Sequence, residues 1–218
     1  MSPTRVGIIG AGLAGPVLAT FLKLKGYEPI VYERMEEISD AGIGIGYAHH
    51  ALYNTYRSLT AFYSVQPNGI QVLSRIPGLL EYIGGYALDE SMAYSVVKED
   101  LGFLGSTDVP KHYRESSGLG AIAIRRAKMQ RKLIEFAENE GVRIIWGHKL
   151  EALEQDADSV NVTFAHGVRE TFSFVIGCDG LHSNTRTCLF GRQPATYTGL
   201  AQASIHLHSV HETLKYRL

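Results

Sequence analysis

The sequence predicts an α/β fold built around a parallel sheet, and three apolar runs support this prediction. The first run, residues 6–9, leads into a glycine-rich turn and then into a helical pattern. The second run, 29–32, follows that helix, as in a β-α-β unit. The third, 174–176, is wholly apolar and is typical of a strand buried in a parallel sheet.

Two helices are predicted from apolar residues that recur with the helical period. The first spans 13–25, with Gly26 as its C-terminal stop. Its predicted core-facing stripe consists of Leu13, Val17, Leu18, Phe21 and Leu22. The second spans 127–140 and ends before Gly141. Its predicted stripe consists of Met129, Leu133, Phe136 and Ala137.

Further strands are predicted after the second helix. A strand over 142–146 precedes an alternating β-meander with a turn at residues 166–167. The strands predicted for the meander are 150–155, 160–164 and 170–172.

The turn after the first strand carries glycine at the three positions of a dinucleotide-binding fingerprint. Gly10 permits a tight turn, Gly12 lets the backbone approach a pyrophosphate, and Gly15 lets the helix pack closely on the strand. The free N–H groups at the helix start, where Leu13 and Ala14 stand, favour a phosphate. We therefore predict a Rossmann-type dinucleotide site, the alternative being a glycine-rich turn without a ligand.

An acidic residue stands where this kind of site needs one. Glu33 follows the second apolar run and can accept hydrogen bonds from a ribose diol, which argues against a 2′-phosphate at that position. Arg34 follows Glu33 directly.

Composition excludes several classes of protein. Hydrophobic residues make up 45% of the 218 and charged residues 20%, as in an ordinary globular protein. The net charge of −1 shows no excess of positive charge of the kind that binds nucleic acid or an anionic membrane. Cys178 and Cys188 are too few for a disulfide framework, and no apolar run indicates a membrane span. We expect a cytoplasmic protein without nucleic-acid or membrane partners.

Three segments carry a resemblance to a known family. The first is the glycine turn with Glu33 and Arg34, the second is 124–130, and the third is 177–186, which contains Asp179-Gly180. Together they resemble the FAD-dependent aromatic hydroxylases of the salicylate hydroxylase type, also called group A flavoprotein monooxygenases. The resemblance extends from about residue 5 to residue 199. It implies a Rossmann-type FAD/NAD(P)-binding domain with a parallel sheet and a β-meander.

The resemblance implies a role for each matching residue. The glycine turn would hold the FAD pyrophosphate, Glu33 the adenosine ribose, and Arg126 another part of the cofactor. Asp179 and Gly180 would serve both FAD and NAD(P)H. Two simpler roles stay open: Arg126 as a solvated arginine at a helix end, and Asp179 as a cap for the next turn through Ser183.

The sequence shows no convincing catalytic acid, base, nucleophile or metal site. The histidines at 206, 208 and 211 are interpreted as surface or tail residues. In the family that the chain resembles, the flavin carries the chemistry, with NAD(P)H as co-substrate and oxygen as oxidant.

Two departures from the family pattern lead to further expectations. Residues 46–64 are interpreted as a non-native insertion, such as a retained intron, the alternative being a true insertion that forms a lid. Residues 79–119 are interpreted as a partial substrate-domain insertion with an incomplete sheet. The family's later Gly-Asp motif does not occur, so we expect a truncated FAD-binding domain over 1–218 and poorly coupled activity. The expected reaction is hydroxylation or epoxidation of a small aromatic or polyketide-like molecule. The alternatives are an inactive nucleotide-binding fragment and an NAD(P)-dependent reductase.

Overall fold

The computed structural model describes residues 3–38, 62–94, 103–194 and 196. The chain divides into two compact units, one formed by 1–40 and 129–200, and the other by 41–128 and 201–218.

The described secondary structure is a mixture of strands and helices. The strands are β1 (Arg5–Ile9), β2 (Glu28–Tyr32), β3 (Phe62–Val65), β4 (Tyr86–Ala87), β5 (Ser91–Tyr94), β6 (Phe103–Thr107), β7 (Ile122–Arg125), β8 (Arg143–Ile145), β9 (Leu150–Gln155), β10 (Val160–Phe164), β11 (Arg169–Phe172) and β12 (Phe174–Gly177). The helices are α1 (Ala14–Leu24), α2 (Pro67–Leu73), α3 (Leu79–Ile83), α4 (Val109–Ser117), α5 (Arg126–Asn139) and α6 (Asn184–Phe190), with a short 3₁₀ turn at Ala165–Gly167.

A parallel sheet forms the centre of the first unit, as the sequence predicts. Its described strands lie in the order β12-β1-β2-β8, and every neighbouring pair is parallel. Ile9, the last residue of β1, lies opposite Tyr32 of β2 and Gly177 of β12. The residues that follow these three strands therefore emerge at one edge of the sheet, where α/β folds bind their ligands.

Alternation along the strands assigns the two faces of this sheet. Val6, Ile8 and Val31 belong to a buried cluster with Ala19 of α1 and with Ile134 of α5. The intervening residues face the antiparallel β11-β10-β9 meander, in a second cluster that includes Ile9, Tyr32 and Phe164. The first unit thus has helices on one face of the sheet and the predicted meander on the other.

The predicted stripe of α1 is only partly right. The residues buried on this helix are Gly15, Pro16, Ala19 and Thr20, and the larger Leu18 and Leu22 pack as partly buried neighbours. The reason is distance, because α1 begins so close to the glycine turn that only small side chains fit on its innermost line. On α5 the prediction holds for Met129, Leu133 and Ala137, while Ile134 is buried in place of Phe136.

The strand β12 also differs from expectation. It is a parallel strand, as predicted, and it pairs with β1, but it lies at the edge of the described sheet. Its apolar residues Phe174, Val175 and Ile176 are therefore half-buried and not fully enclosed.

The second unit contains the strands β3-β7-β4 and the antiparallel pair β5-β6. The segment from 79 to 119, predicted as a partial substrate-domain insertion, contains α3, β4, β5, β6 and α4. Its assignment to a substrate domain stays a prediction. Of the predicted insertion at 46–64, residues 46–61 lie outside the described residues, and 62–64 belong to β3.

The longest described helix, α5, has 14 residues. Within the described ranges, no helix combines the length and the apolar character that crossing a bilayer requires.

Candidate dinucleotide site

Gly10 turns the chain between the ends of two neighbouring strands. Its N–H donates to the Tyr32 carbonyl at 2.7 Å, and its φ of +106° is a conformation that favours glycine. A Cβ at Gly10 would lie 2.6 Å from the carbonyl oxygen of Cys178. The structure thus brings the two sequence fingerprints, the glycine turn and the segment around Asp179, against each other.

Gly15 and Gly12 are glycines for opposite reasons. A Cβ at Gly15 would lie 1.9 Å from the Gly10 carbonyl oxygen, so the start of α1 can pack there only without a side chain. A Cβ at Gly12 would meet no atom within 4 Å. The space beside Gly12 is thus open, and its occupation by a pyrophosphate stays a prediction.

The start of α1 suits an anion. Leu13 stands at the N-cap position, and no side chain caps the helix there. Leu13 is half-buried and Ala14 is exposed. Together with the open space at Gly12, the uncapped N–H groups and the helix dipole fit a phosphate group.

Glu33 is bonded directly to the glycine turn. Its Oε2 accepts a hydrogen bond from the Ala11 N–H at 2.7 Å, and its Oε1 accepts one from the Met35 N–H at 3.0 Å. A carboxylate has about four lone-pair sites, so each oxygen can still accept a ribose hydroxyl. The neighbouring Arg34 is exposed, and its predicted role in binding the cofactor stays a prediction.

The loop after β8 holds the backbone of Glu33. The Glu33 N–H donates to the Ile145 carbonyl at 2.9 Å, and the Glu33 carbonyl accepts from the His148 N–H at 2.7 Å. The His148 ring in turn lies 5.6 Å from the ring of Tyr32. Sequence reasoning missed these supports, because a generic loop between two strands carries no signal of its partner.

Replacing Glu33 by alanine is expected to weaken FAD binding by about 1 to 3 kcal/mol, because a charge-assisted contact to the ribose and the bond to Ala11 are both lost. Isothermal titration with FAD measures the change. Glu36→Ala, an exposed carboxylate on the same loop, is the matched control. An unchanged affinity in Glu33→Ala would show that Glu33 does not face the ribose.

Asp179 organises the loop that follows β12. Its Oδ1 accepts from the Ser183 hydroxyl at 2.6 Å, and its Oδ2 accepts from the Thr185 N–H at 2.9 Å and the Thr185 hydroxyl at 3.1 Å. Ser183 itself caps α6 by accepting from the Arg186 N–H. The capping role that the sequence left open is therefore present, and the role of Asp179 toward FAD and NAD(P)H stays a prediction.

These bonds control the ionisation of Asp179. Burial opposes the charge, but the hydrogen bonds from Ser183 and Thr185 outweigh burial, so the pKa of this carboxyl is lowered. Gly180, the next residue, has a φ of +74°. It turns the loop away from the strand, and nothing lies within 4 Å of the position of a Cβ there.

The variant Asp179→Asn should lower the free energy of unfolding by about 1 to 2 kcal/mol at neutral pH, because its amide leaves a Thr185 donor unpaired. Because the pKa of Asp179 is lower in the native state, its charge stabilises the fold at pH values above the pKa in the unfolded state, about 3.9. This contribution is lost as the pH falls through the native pKa. The gap between wild type and variant should therefore narrow below about pH 4. Urea unfolding across pH measures it, and a gap that widens in acid would contradict this assignment.

Arg126 opens α5 and is half-buried, whereas Arg125, at the end of β7, is exposed. The predicted choice of Arg126 over its neighbour stays a prediction. The prediction that Arg126 and Asp179 share one cleft stays a prediction.

Gln130, one helical turn after Arg126, is a residue that sequence reasoning did not select. Its Nε2 donates to the Ala11 carbonyl at 2.8 Å, across 119 positions of sequence. The signal available in the sequence was its place in the segment 124–130, the second of the three matching segments.

The fold and the site together define a dinucleotide-binding α/β domain. The family model described as "FAD binding domain" matches residues 3–213. The chain therefore belongs to this family, and its cofactor is FAD.

Curated relatives agree with the predicted resemblance to FAD-dependent monooxygenases and confirm it. A 3-amino-4-hydroxybenzoate 2-monooxygenase of Streptomyces platensis is 30% identical over 190 residues, which cover 87% of this chain and 43% of that protein. An FAD-dependent urate hydroxylase of Klebsiella pneumoniae is 28% identical over 189 residues, covering 86% and 43%. The chain thus spans less than half the length of these relatives.

A solved structure of similar fold is Klebsiella pneumoniae HpxO complexed with FAD and uric acid. It superposes with a TM-score of 0.68 at 23% identity, over 88% of this chain and 43% of that chain. At this identity the likeness shows the fold, and it confirms the predicted fold class.

Proposed function

We propose that this protein is an FAD-dependent monooxygenase that uses NAD(P)H and oxygen to hydroxylate or epoxidise a small aromatic or polyketide-like molecule. The observation that carries the proposal is the glycine turn, which leaves open space at Gly12 and is bonded to Glu33. The printed names of two relatives, acting on 3-amino-4-hydroxybenzoate and on urate, support an aromatic substrate.

The residues of the first unit would bind the cofactor through its ADP half. The Gly12 N–H and the start of α1 would hold the pyrophosphate, and the two Glu33 oxygens would accept the ribose hydroxyls. Bound FAD supplies the redox chemistry, accepting electrons from NAD(P)H and passing them to oxygen.

In the proposed site, the negative charge of Asp179 lies near an anionic cofactor and needs hydrogen-bond donors to compensate it. A Cβ at Gly10 would lie 2.9 Å from the Asp179 Cα, so this acidic residue stands against the turn proposed to hold the pyrophosphate. Its carboxylate accepts three hydrogen bonds, one from the Ser183 hydroxyl and two from the N–H and hydroxyl of Thr185. This arrangement keeps the loop ordered while the negative charge is compensated by donors.

The proposal is tested with the purified 218-residue protein. FAD, NADH and NADPH are titrated separately by calorimetry, and NAD(P)H oxidation is then followed with product analysis on benzoate and urate probes. Preferential FAD binding with oxygen-dependent product formation supports the proposal. Binding of NADPH in preference to FAD would indicate an NAD(P)-dependent reductase, and FAD binding without NAD(P)H oxidation would indicate an inactive FAD-binding fragment.

A further inference from the structure

We propose that Gln130 is a positioning residue that aims the Gly12 N–H at the FAD pyrophosphate. The inference rests on the proposed FAD site and extends it to a side chain from α5, remote in sequence from the glycine turn.

Two side chains hold the residue between the first two glycines from opposite sides. The Ala11 N–H donates to Glu33 Oε2 at 2.7 Å, and the Ala11 carbonyl accepts from Gln130 Nε2 at 2.8 Å. Ala11 itself is completely buried. Both of its backbone polar groups are therefore paired with side chains, as buried polar groups require.

The bond to Gln130 determines the orientation of the next peptide unit. The Ala11 carbonyl and the Gly12 N–H belong to one planar peptide, which is trans. In a trans peptide the C=O and N–H point in opposite directions, so the amide that pulls the carbonyl toward α5 points the Gly12 N–H away from α5. Gly12 is the residue beside which the turn leaves open space.

Preorganisation is the physical reason for expecting an effect on binding. A free glycine-rich turn samples many peptide orientations, of which the ligand binds only one. The larger the fraction of molecules in the other orientations, the weaker the measured affinity. Gln130 removes that freedom before the ligand arrives. Glu33 cannot do so alone, because its bond orients the preceding peptide, between Gly10 and Ala11.

The first test replaces Gln130 by methionine, which keeps the length of the side chain and removes the donor. We expect the dissociation constants for FAD and for ADP to rise about tenfold, while that for adenosine, which has no phosphate, stays unchanged. Equal weakening of adenosine would show general damage to the site and overturn the inference, as would unchanged FAD and ADP binding.

The second test uses Gln130→Glu and a pH profile. An ionised glutamate repels the Ala11 carbonyl, whereas a protonated one donates to it as glutamine does. The ratio of variant to wild-type dissociation constant for ADP should thus be about tenfold or more at pH 8 and shrink as the pH falls toward 5. The control Asn139→Asp makes the same amide-to-acid change at the exposed end of α5, and its ratio should stay near one.

A third measurement needs no ligand and separates the two proposals. The amide nitrogen shift of Gly12 reports the hydrogen bond on the preceding carbonyl, so it should move in Gln130→Met and not in Asn139→Asp. A Gly12 shift that does not move overturns the positioning role even if FAD binds. In the other case, the Gly12 shift moves in Gln130→Met as expected, but the wild-type protein binds neither FAD nor ADP. That result overturns the proposed function, and with it the role of Gln130 in pyrophosphate binding.

Discussion

Replacing Gly12 by valine is expected to weaken FAD binding strongly while leaving the fold intact. A side chain at this position meets no protein atom within 4 Å, and Gly12 is not among the glycines of positive φ. The branched side chain would instead fill the space proposed for the pyrophosphate. We expect FAD affinity to fall at least about a hundredfold, or about 2.8 kcal/mol.

Stability should respond much less than binding in this variant. Removing glycine restricts the unfolded chain, and no native contact is broken, so the free energy of unfolding should change by less than about 1 kcal/mol. FAD titration and urea unfolding of the same preparations measure the two effects. Gly12→Ala should show a smaller loss of affinity, and a Gly12→Val protein that retains flavin as well as wild type would place the pyrophosphate elsewhere.

Local patterns were sufficient to predict most of the first unit. The meander strands β9 and β10 begin and end at the predicted residues, Leu150–Gln155 and Val160–Phe164, because alternation and turn residues both mark their limits. The short apolar run also predicted that β12 is a parallel strand, although its pairing with β1 is known only from the structure. These signals are local, so a single sequence contains them.

The inner face of α1 shows what periodicity alone cannot predict. The spacing of hydrophobic residues predicts that Leu18 and Phe21 face the core, yet the residues buried near the centre of the helix are Ala19 and Thr20. The Thr20 hydroxyl can be buried because it donates to the Pro16 carbonyl at 2.9 Å. How close two elements approach is decided by tertiary packing, and a periodic pattern does not specify that distance.

The candidate site divides in the same way. The glycines and Glu33 could be selected from their spacing, because the chemistry of a pyrophosphate and a ribose requires them in that order. The contacts between these residues could not be predicted from the sequence. The hydrogen bonds from Ala11 to Glu33 and from Gln130 to Ala11 depend on where β2 and α5 pack. For Asp179, the sequence allowed two roles, and the contacts to Ser183 and Thr185 establish only the capping role.

Replacing Gly15 by alanine, the smallest possible addition, is expected to have the largest effect on stability of any glycine change in the turn. The new Cβ would lie 1.9 Å from the Gly10 carbonyl oxygen and 3.6 Å from a methyl of Ile8. The first of these neighbours is backbone, which cannot rotate aside as a flexible side chain can.

Relief of this clash requires α1 to move away from β1. Ala19, buried on the same face of the helix, would then lose its packing against the sheet. Overpacking in a closed core typically costs about 1 to 3 kcal/mol, and a collision with backbone belongs at or above the upper limit. We therefore expect Gly15→Ala to lower the free energy of unfolding by at least about 3 kcal/mol.

Urea unfolding of Gly15→Ala beside Gly12→Ala isolates this effect, because both variants add one methyl group to the same turn. Gly12→Ala should unfold within about 1 kcal/mol of wild type, since its methyl enters open space. If Gly15→Ala is too unstable to purify, its soluble yield and its resistance to proteolysis in the lysate, each compared with Gly12→Ala, measure the same difference. Equal stability of the two variants would mean that α1 does not begin against the Gly10 carbonyl, and the close approach of helix and turn on which the proposed phosphate site depends would be wrong.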